Sequence, residues 1–390
     1  MLKTIKNFIN LETSSSKLLL LMTILALVLS NSPGYTYYEM LFHTPLSFRI
    51  GTMEFQSDLL FWVNEVFMTV FFLVVGLEIK YELLEGALNS LQEAFLPGIA
   101  AIGGMIIPAI IYLYFNAHNT DQIRGWAIPT ATDIAFSLSI LSLLGKKIPA
   151  SLKPFLMALA IFDDLAAIIV IAIFYTSSLS LLFLGLSLVF LCLLLIFNLI
   201  GIYRIFPYII ASICLWVCLL KSGIHPTIAG VILAFSIPLY HQSNSQHSPL
   251  QKLKTNLHPW VAFGVLPLFA FANAGVSFIH LTKANIQLSI TFGILFGLFL
   301  GKQLGVFCAS WIAVQLRIAK LPIHIKWLDI YGVAILCGIG FTISIFIGDL
   351  AFGTGLSSSL DSVKIGVLLG SLVSGIFGYL LLAFLHRSKN

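Results

Sequence analysis

The stretch GWAIPTATDIAFSL, residues 125–138, decides how this chain is read. It lies inside an apolar run long enough to cross a membrane, yet it carries Pro129, Thr130, Thr132 and Asp133 near its middle. Pro129 removes a backbone donor and frees a carbonyl about one turn earlier. Thr130 and Thr132 can satisfy freed groups or offer hydroxyl oxygens to an ion. Irregular backbone at membrane depth survives only inside protein or beside water. The stretch therefore predicts a broken helix, with two half-helix ends of opposite partial charge at mid-depth and an aspartate placed to neutralise the positive one. Taken alone, it also admits an ordinary proline kink.

The rest of the chain supplies the membrane setting. Hydrophobic residues make up 59% of the 390 and charged residues only 9%. A soluble domain needs far more charge to cover its surface. The apolar runs are continuous over roughly 20 residues, which means helices rather than barrel strands alternating over about 10. An all-α polytopic membrane protein without a soluble domain follows. The net charge of +5 is read by loop location, and no nucleic-acid partner is expected. The five cysteines, Cys192, Cys214, Cys218, Cys308 and Cys337, all lie in apolar runs. They read as small buried hydrophobes; a metal site wants His or acid neighbours.

About twelve apolar runs start near residues 14, 59, 95, 123, 150, 179, 205, 223, 259, 288, 327 and 358. The first, KLLLLMTILALVLSNS at 17–32, has the basic front, short apolar core and small residues of a secretory leader. It is read as a retained span because the charge pattern then closes at both ends. With the N-terminus inside, fifteen Lys and Arg fall on inner segments and five on outer ones, and Lys302 completes the 21. That bias predicts twelve transmembrane helices with both termini cytoplasmic. The polar, β-prone segment 48–56 between spans 1 and 2 is expected to form an external hairpin. Residues 1–390 read as one transmembrane domain: 14–93 hold spans 1–2 and the hairpin, 94–176 spans 3–5, 177–285 spans 6–9, and 286–386 spans 10–12.

Most of the 16 acids fall at loops or span ends. Asp133 in span 4 does not, nor do Asp163 and Asp164 in LMALAIFDDLAAIIV of span 5, nor the basic Lys302 in GLFLGKQLG of span 10. A charge at a helix centre costs roughly 2.5–3.5 kcal/mol, so four cost on the order of 10 kcal/mol before pairing, comparable to a whole protein's stability. A structural ion pair between Lys302 and one aspartate accounts for two charges, not four. The remainder marks transport or proton relay. Adjacent aspartates on a helix point about 100° apart, so they share a cavity but not a partner. If Lys302 pairs with Asp163, Asp164 does not share it. Desolvation and its like-charged neighbour then both oppose ionisation of Asp164, which is poised to take either a proton or a small cation. The two acids titrate as a coupled pair.

Span 11 contains ILCGIGFTISIF, with Gly338 and Gly340 in mid-span and Thr342 close behind. These glycines weaken the helix as Pro129 weakens span 4. Spans 3–5 and 10–12 thus form two triplets, each with a weak middle member, and that points to inverted repeats around a midplane site.

The residues that carry this pattern are FFLVVGLEIKYEL, AIGGMIIPA, GWAIPTATDIAF, FLMALAIFDDLAAIIVIAIFYT, LKSGIHPTIAGVI, LHPWVAFGVLPLFAFANAGVS, GKQLG and GVAILCGIGFTISIFI. In this order, from about residue 47 to 385, they resemble the NhaA-type sodium/proton antiporters. The resemblance implies twelve spans with interrupted spans 4 and 11. It implies electrogenic, pH-dependent exchange of protons inward for Na+ or Li+ outward, serving sodium and pH homeostasis. It implies a bacterial inner membrane, a homodimer through the loop between spans 1 and 2, no cofactor and no enzymatic activity. Carried over residue by residue, Asp163 and Asp164 are the ion and proton site, with Thr132 as a third Na+ ligand, Asp133 beside them and Lys302 as the mid-span lysine. Glu78, Lys254 and His258 fall in the pH-response region; His225 is a further candidate there, with capping or packing as its other reading. The chain departs from the family at Lys80-Tyr81, usually Lys-Arg, and at Lys254-Thr255, usually Glu-His. These departures bear on the pH threshold and leave the core site intact.

Other classes make different demands. An intramembrane aspartyl protease needs its aspartates on different helices, one following Gly-x-Gly; here Phe341 follows Gly338-Ile339-Gly340. A retinal Schiff base on the lysine expects fewer spans and a coloured protein. A channel favours side-chain rings about a symmetry axis, a pattern absent from this sequence. A proton-coupled symporter for an organic solute is the nearest rival.

Overall fold

The computed structural model of the chain describes residues 2–50, 53–176, 179–239, 248–278, 286–322, 324–353 and 357–387. Lys283 and Lys389 of the charge tally, and the turn at 51–52 of the expected hairpin, lie outside the described residues. Among the described residues, eight helices are long and apolar enough to cross a membrane, and three bent helix pairs raise the number to eleven. The pairs are Ser14–Ser30 with Tyr35–Phe42, bent by 116°, Thr120–Thr130 with Ile134–Leu143, bent by 40°, and Trp327–Leu336 with Phe341–Phe352, bent by 47°. The second and third are the two spans expected to be interrupted.

The run expected near 223 is the one that falls short. Its helix, Ile228–Ser236, has nine residues. At about 1.5 Å per residue this covers less than half of a ~30 Å hydrocarbon core. Gly223, at φ +91°, ends the preceding helix, and Pro238 closes this one two residues past its end. Lys80 Nζ caps the short helix by donating to the carbonyls of Phe235 and Ile237, both at 2.6 Å.

The chain divides into two compact units. The first comprises Met1–Lys17, Glu85–Ala167 and Phe278–Asn390. It holds the helices Leu91–Asn116 and Ser357–Leu385, the helix Leu288–Gln315, and the two interrupted pairs. Leu288–Gln315 contains a π turn at Gly297–Gly301, immediately before Lys302. Gly103 and Gly305 meet backbone to backbone: a Cβ on either would overlap the other's peptide. Small residues at such a crossing let two membrane helices approach this closely. The approach lays Lys302 over Gly104, whose Cβ position is 3.7 Å from Nζ.

The second unit comprises Leu18–Leu84 and Ile168–Ser277. Its apolar core gathers Leu77, Leu194, Tyr208, Leu215 and Leu233, drawn from four helices. The helices Leu59–Leu84 and Pro249–Asn273 each contain a π turn, at Trp62–Phe67 and Val261–Val265. The expected hairpin is formed by antiparallel strands β1 (Pro45–Ile50) and β2 (Met53–Asp58), with Pro45 opposite Asp58 and Ile50 opposite Met53.

Candidate functional site

The interrupted Thr120–Thr130 segment shows what Pro129 does. The chain runs as a 3-10 helix over Arg124–Thr130, is extended at Ala131, and restarts as a helix at Ile134. The carbonyls left unbonded are answered by side chains: Thr130 Oγ1 donates to Ala127 O at 2.7 Å and Ser344 Oγ to Ile128 O at 2.7 Å. At the other break, Ser137 Oγ donates to Leu336 O at 3.0 Å, and Ser371 Oγ accepts from the N–H groups of Gly340 and Phe341, both at 3.2 Å. A buried backbone group in this setting must have such a partner.

Asp133 serves both breaks. It is the N-cap of Ile134–Leu143, its Oδ1 accepting from Phe136 N at 3.1 Å. Its Oδ2 accepts from Thr342 N at 3.1 Å and from Thr342 Oγ1 at 2.6 Å, in the first turn of Phe341–Phe352. Its own N–H donates to Ile339 O at 2.6 Å. One carboxylate thus faces the positive ends of two half-helices. The sequence placed it at one such end; Thr342 as its partner was not legible.

Asp163, Asp164 and Thr132 are buried, at 2%, 2% and 0% exposure. Both aspartates lie on Leu152–Phe174. Thr132 Oγ1 is 2.6 Å from Asp163 Oδ2 and 2.9 Å from Cys337 O, so its one proton is held between a carboxylate and a carbonyl. Lys302, fully buried, places Nζ 2.6 Å from the same Asp163 Oδ2. Asp163 Oδ1 has no hydrogen-bond partner among the described residues. Four chain segments therefore converge on one buried carboxylate: the break of span 4, the aspartate helix, the lysine helix and the break of span 11. Carboxylate, hydroxyl and carbonyl oxygens are the donors a hard cation takes, and the ammonium beside them balances their charge.

The model of a known family, Na+/H+ antiporter 1, matches residues 6–382. The chain belongs to the Na+/H+ antiporter 1 family. It is 50% identical to the Na(+)/H(+) antiporter NhaA of Pseudomonas fluorescens strain Pf0-1, over 99% of this chain and 98% of that protein. It is 49% identical to the Na(+)/H(+) antiporter NhaA of Rhodospirillum rubrum, over 99% and 98%. It is 47% identical to that of Citrobacter koseri, over 97% of each.

In this member of the Na+/H+ antiporter 1 family, the two departures noted in the sequence meet each other. Lys254 Nζ is 3.2 Å from Glu78 Oε1 and 4.9 Å from the centre of the Tyr81 ring. The reversed charge at 254 is thus met by an acid and by an aromatic face. Thr255 donates to Gln251 O within its own helix turn. His258 lies one turn after Lys254 on Pro249–Trp260. His225 is apart from these: its Nδ1 is 2.7 Å from Thr227 Oγ1 and its Nε2 is 3.3 Å from Glu65 Oε1. Glu65, which the sequence did not single out, sits in the π turn Trp62–Phe67 inside its helix. A π turn rotates the face that follows it, so helical periodicity alone did not place Glu65 against a histidine.

Proposed function

We propose that the chain is a secondary Na+(Li+)/H+ antiporter, exporting sodium in exchange for protons at the buried carboxylate site. Na+/H+ exchange is the activity its family and relatives are named for. The observation that carries the site reading is Asp163, with one oxygen shared by the Lys302 ammonium and the Thr132 hydroxyl and the other oxygen without a partner among the described residues. With the site open inward, Na+ engages Asp164, Asp163 and Thr132 and displaces protons. The protein then exposes the site outward, Na+ leaves, and protons reload the acids. Lys302 balances Asp163 while no cation is bound and must yield when one binds. Asp133 holds the two half-helix ends at the depth of the site, beside the ion-binding carboxylates.

More protons entering than sodium ions leaving makes the cycle electrogenic, so the membrane potential adds about 2.3 kcal/mol per net charge per 100 mV. Glu78, Lys254, His258 and His225 set the pH response. The protein sits in a bacterial inner membrane with both termini cytoplasmic. Its twelve spans form one transport domain built of inverted repeats, with Ile228–Ser236 part of the short eighth span. It pairs as a homodimer through β1 and β2, and removing residues 45–58 shifts the solubilised protein from dimer to monomer in light-scattering mass measurements; an unchanged mass rejects that contact.

Asp164→Asn is the decisive variant. In everted vesicles, Na+ added to the wild type collapses an imposed proton gradient, and in Asp164→Asn it does not, while expression and thermal stability stay near wild type. Normal Na+-driven collapse in that variant rules out the assigned site. Gradient collapse by an organic solute instead of Na+ favours the symporter.

A further inference from the structure

We infer that Asp329 and His386 form a positioning pair for the ion site, acting through the first half of the broken helix Trp327–Leu336. The inference rests on the exchange reading and adds residues that never touch the ion. His386 Nε2 is 2.7 Å from Asp329 Oδ1, and the two side chains are 9% and 3% exposed. Asp329 Oδ2 accepts from Lys326 N at 2.9 Å, so the same carboxylate caps the half-helix.

From this pair a seam runs along one face of Ser357–Leu385. Leu382 packs into the space left by Gly332, and Leu336 Cδ2 is 2.6 Å from the Cβ position of Gly378. Ser374 Oγ packs on Gly338, and Ser371 Oγ accepts from Gly340 and Phe341. Positions 371, 374, 378, 382 and 386 recur at steps of three and four, so one helical stripe grips both the half-helix and the break. At the far end of the seam, Cys337 O accepts from Thr132, which bonds Asp163. A ten-residue helix gripped along its length moves as a rod, so a shift at Asp329 is delivered to the Cys337 carbonyl.

The lock is proton-dependent. While the imidazole carries its proton, the contact is a charge-assisted hydrogen bond, roughly twice as strong as a neutral one. Of the helices packed against these two, Ile134–Leu143 and Leu288–Phe296 carry no charged residue. Lys302–Gln315 carries only Lys302, which Asp163 holds, and Phe341–Phe352 only Asp349. Asp133 caps Ile134–Leu143 at the breaks. On the pair's own segments, Lys326 and Arg387 are exposed, and Asp361 and Lys364 lie at the opposite end of the last helix.

The test is the apparent KM for Na+ in everted vesicles, scanned from acid to alkaline pH, for wild type, His386→Gln, Asp329→Asn and the double variant. His386→Gln keeps a hydrogen-bond donor but takes no charge. It is expected to raise KM about fivefold, the low end of ordinary site-to-site coupling, at the acid end and to converge on wild type at the alkaline end. The double variant shifts no further than either single one. A shift equal at every pH, or none, overturns the proposal and leaves a merely structural pair. Should the variants fold poorly, hydrogen exchange of residues 327–337 in the wild-type protein decides. Corrected for intrinsic rates, protection must be greater at acid than at alkaline pH, and equal protection is fatal. Exchange is scored beside Asp164→Asn in the same vesicles, so failure of the site assignment is seen separately.

Discussion

At the residue scale, the site's economy lies in Asp163 Oδ2. It takes a hydroxyl and an ammonium at 2.6 Å each, in a place where Lys302 has no exposed surface. Removing one partner of such a buried pair strands a charge, which costs about 3–5 kcal/mol, whereas removing both costs much less. Lys302→Met is therefore expected to lower thermal stability in detergent sharply, and Asp163→Asn with Lys302→Met to recover most of the loss. Additive losses in the double variant would contradict a direct pair. The recovered double variant is still expected to be inactive, because the proposed exchange needs the carboxylate that the pair shares.

At the element scale, what matters is how closely two helices approach. Gly103 and Gly305 touch through their backbones, and that contact delivers Lys302 to Asp163. Gly305→Val inserts a side chain where no volume exists. Overpacking of this kind costs typically about 1–3 kcal/mol. The expected result is a fall in melting temperature with a larger fall in exchange rate, since the lysine is carried away from its partner. A variant that keeps wild-type exchange would show that the crossing does not position the lysine. The broken helices make the same point from the other side. Their freed backbone groups are met by Thr130, Ser137, Ser344 and Ser371, and Asp133 bridges the two restarts.

At the scale of the whole molecule, the proposed exchange, one site serving two ligands, fixes the sign of the pH dependence. On that reading protons and Na+ compete for the same carboxylates, so lowering the pH fills the site with protons. The apparent KM for Na+ rises on acidification, by up to about tenfold per pH unit for each proton displaced. Initial rates against Na+ at several pH values check this. A KM that is flat with pH while the maximal rate changes would mean that protons act elsewhere than at the carboxylates. The Lys254, Glu78 and Tyr81 cluster belongs to the second unit and not to this competition. Changes there are expected to move the pH threshold and leave the competition in place.

The sequence by itself determined the membrane class, the places where helices break and the charges that have no business at mid-depth. These are properties of local composition: a proline or paired glycines break a helix wherever they fall, and a buried charge is costly whatever its neighbours. Local composition says less about length. The run near 223 reads as a span, and the helix within it is nine residues long because a glycine turn and Pro238 bound it. Only the tertiary structure decided who meets whom. Thr342 reaches Asp133 across 209 positions, Lys302 reaches Asp163 across 139, and His386 reaches Asp329 across 57. No periodicity encodes such pairings. They follow from backbone approach at glycines and from the requirement that every buried polar group at the breaks find a partner, and both are satisfied only when the packed helices are present together.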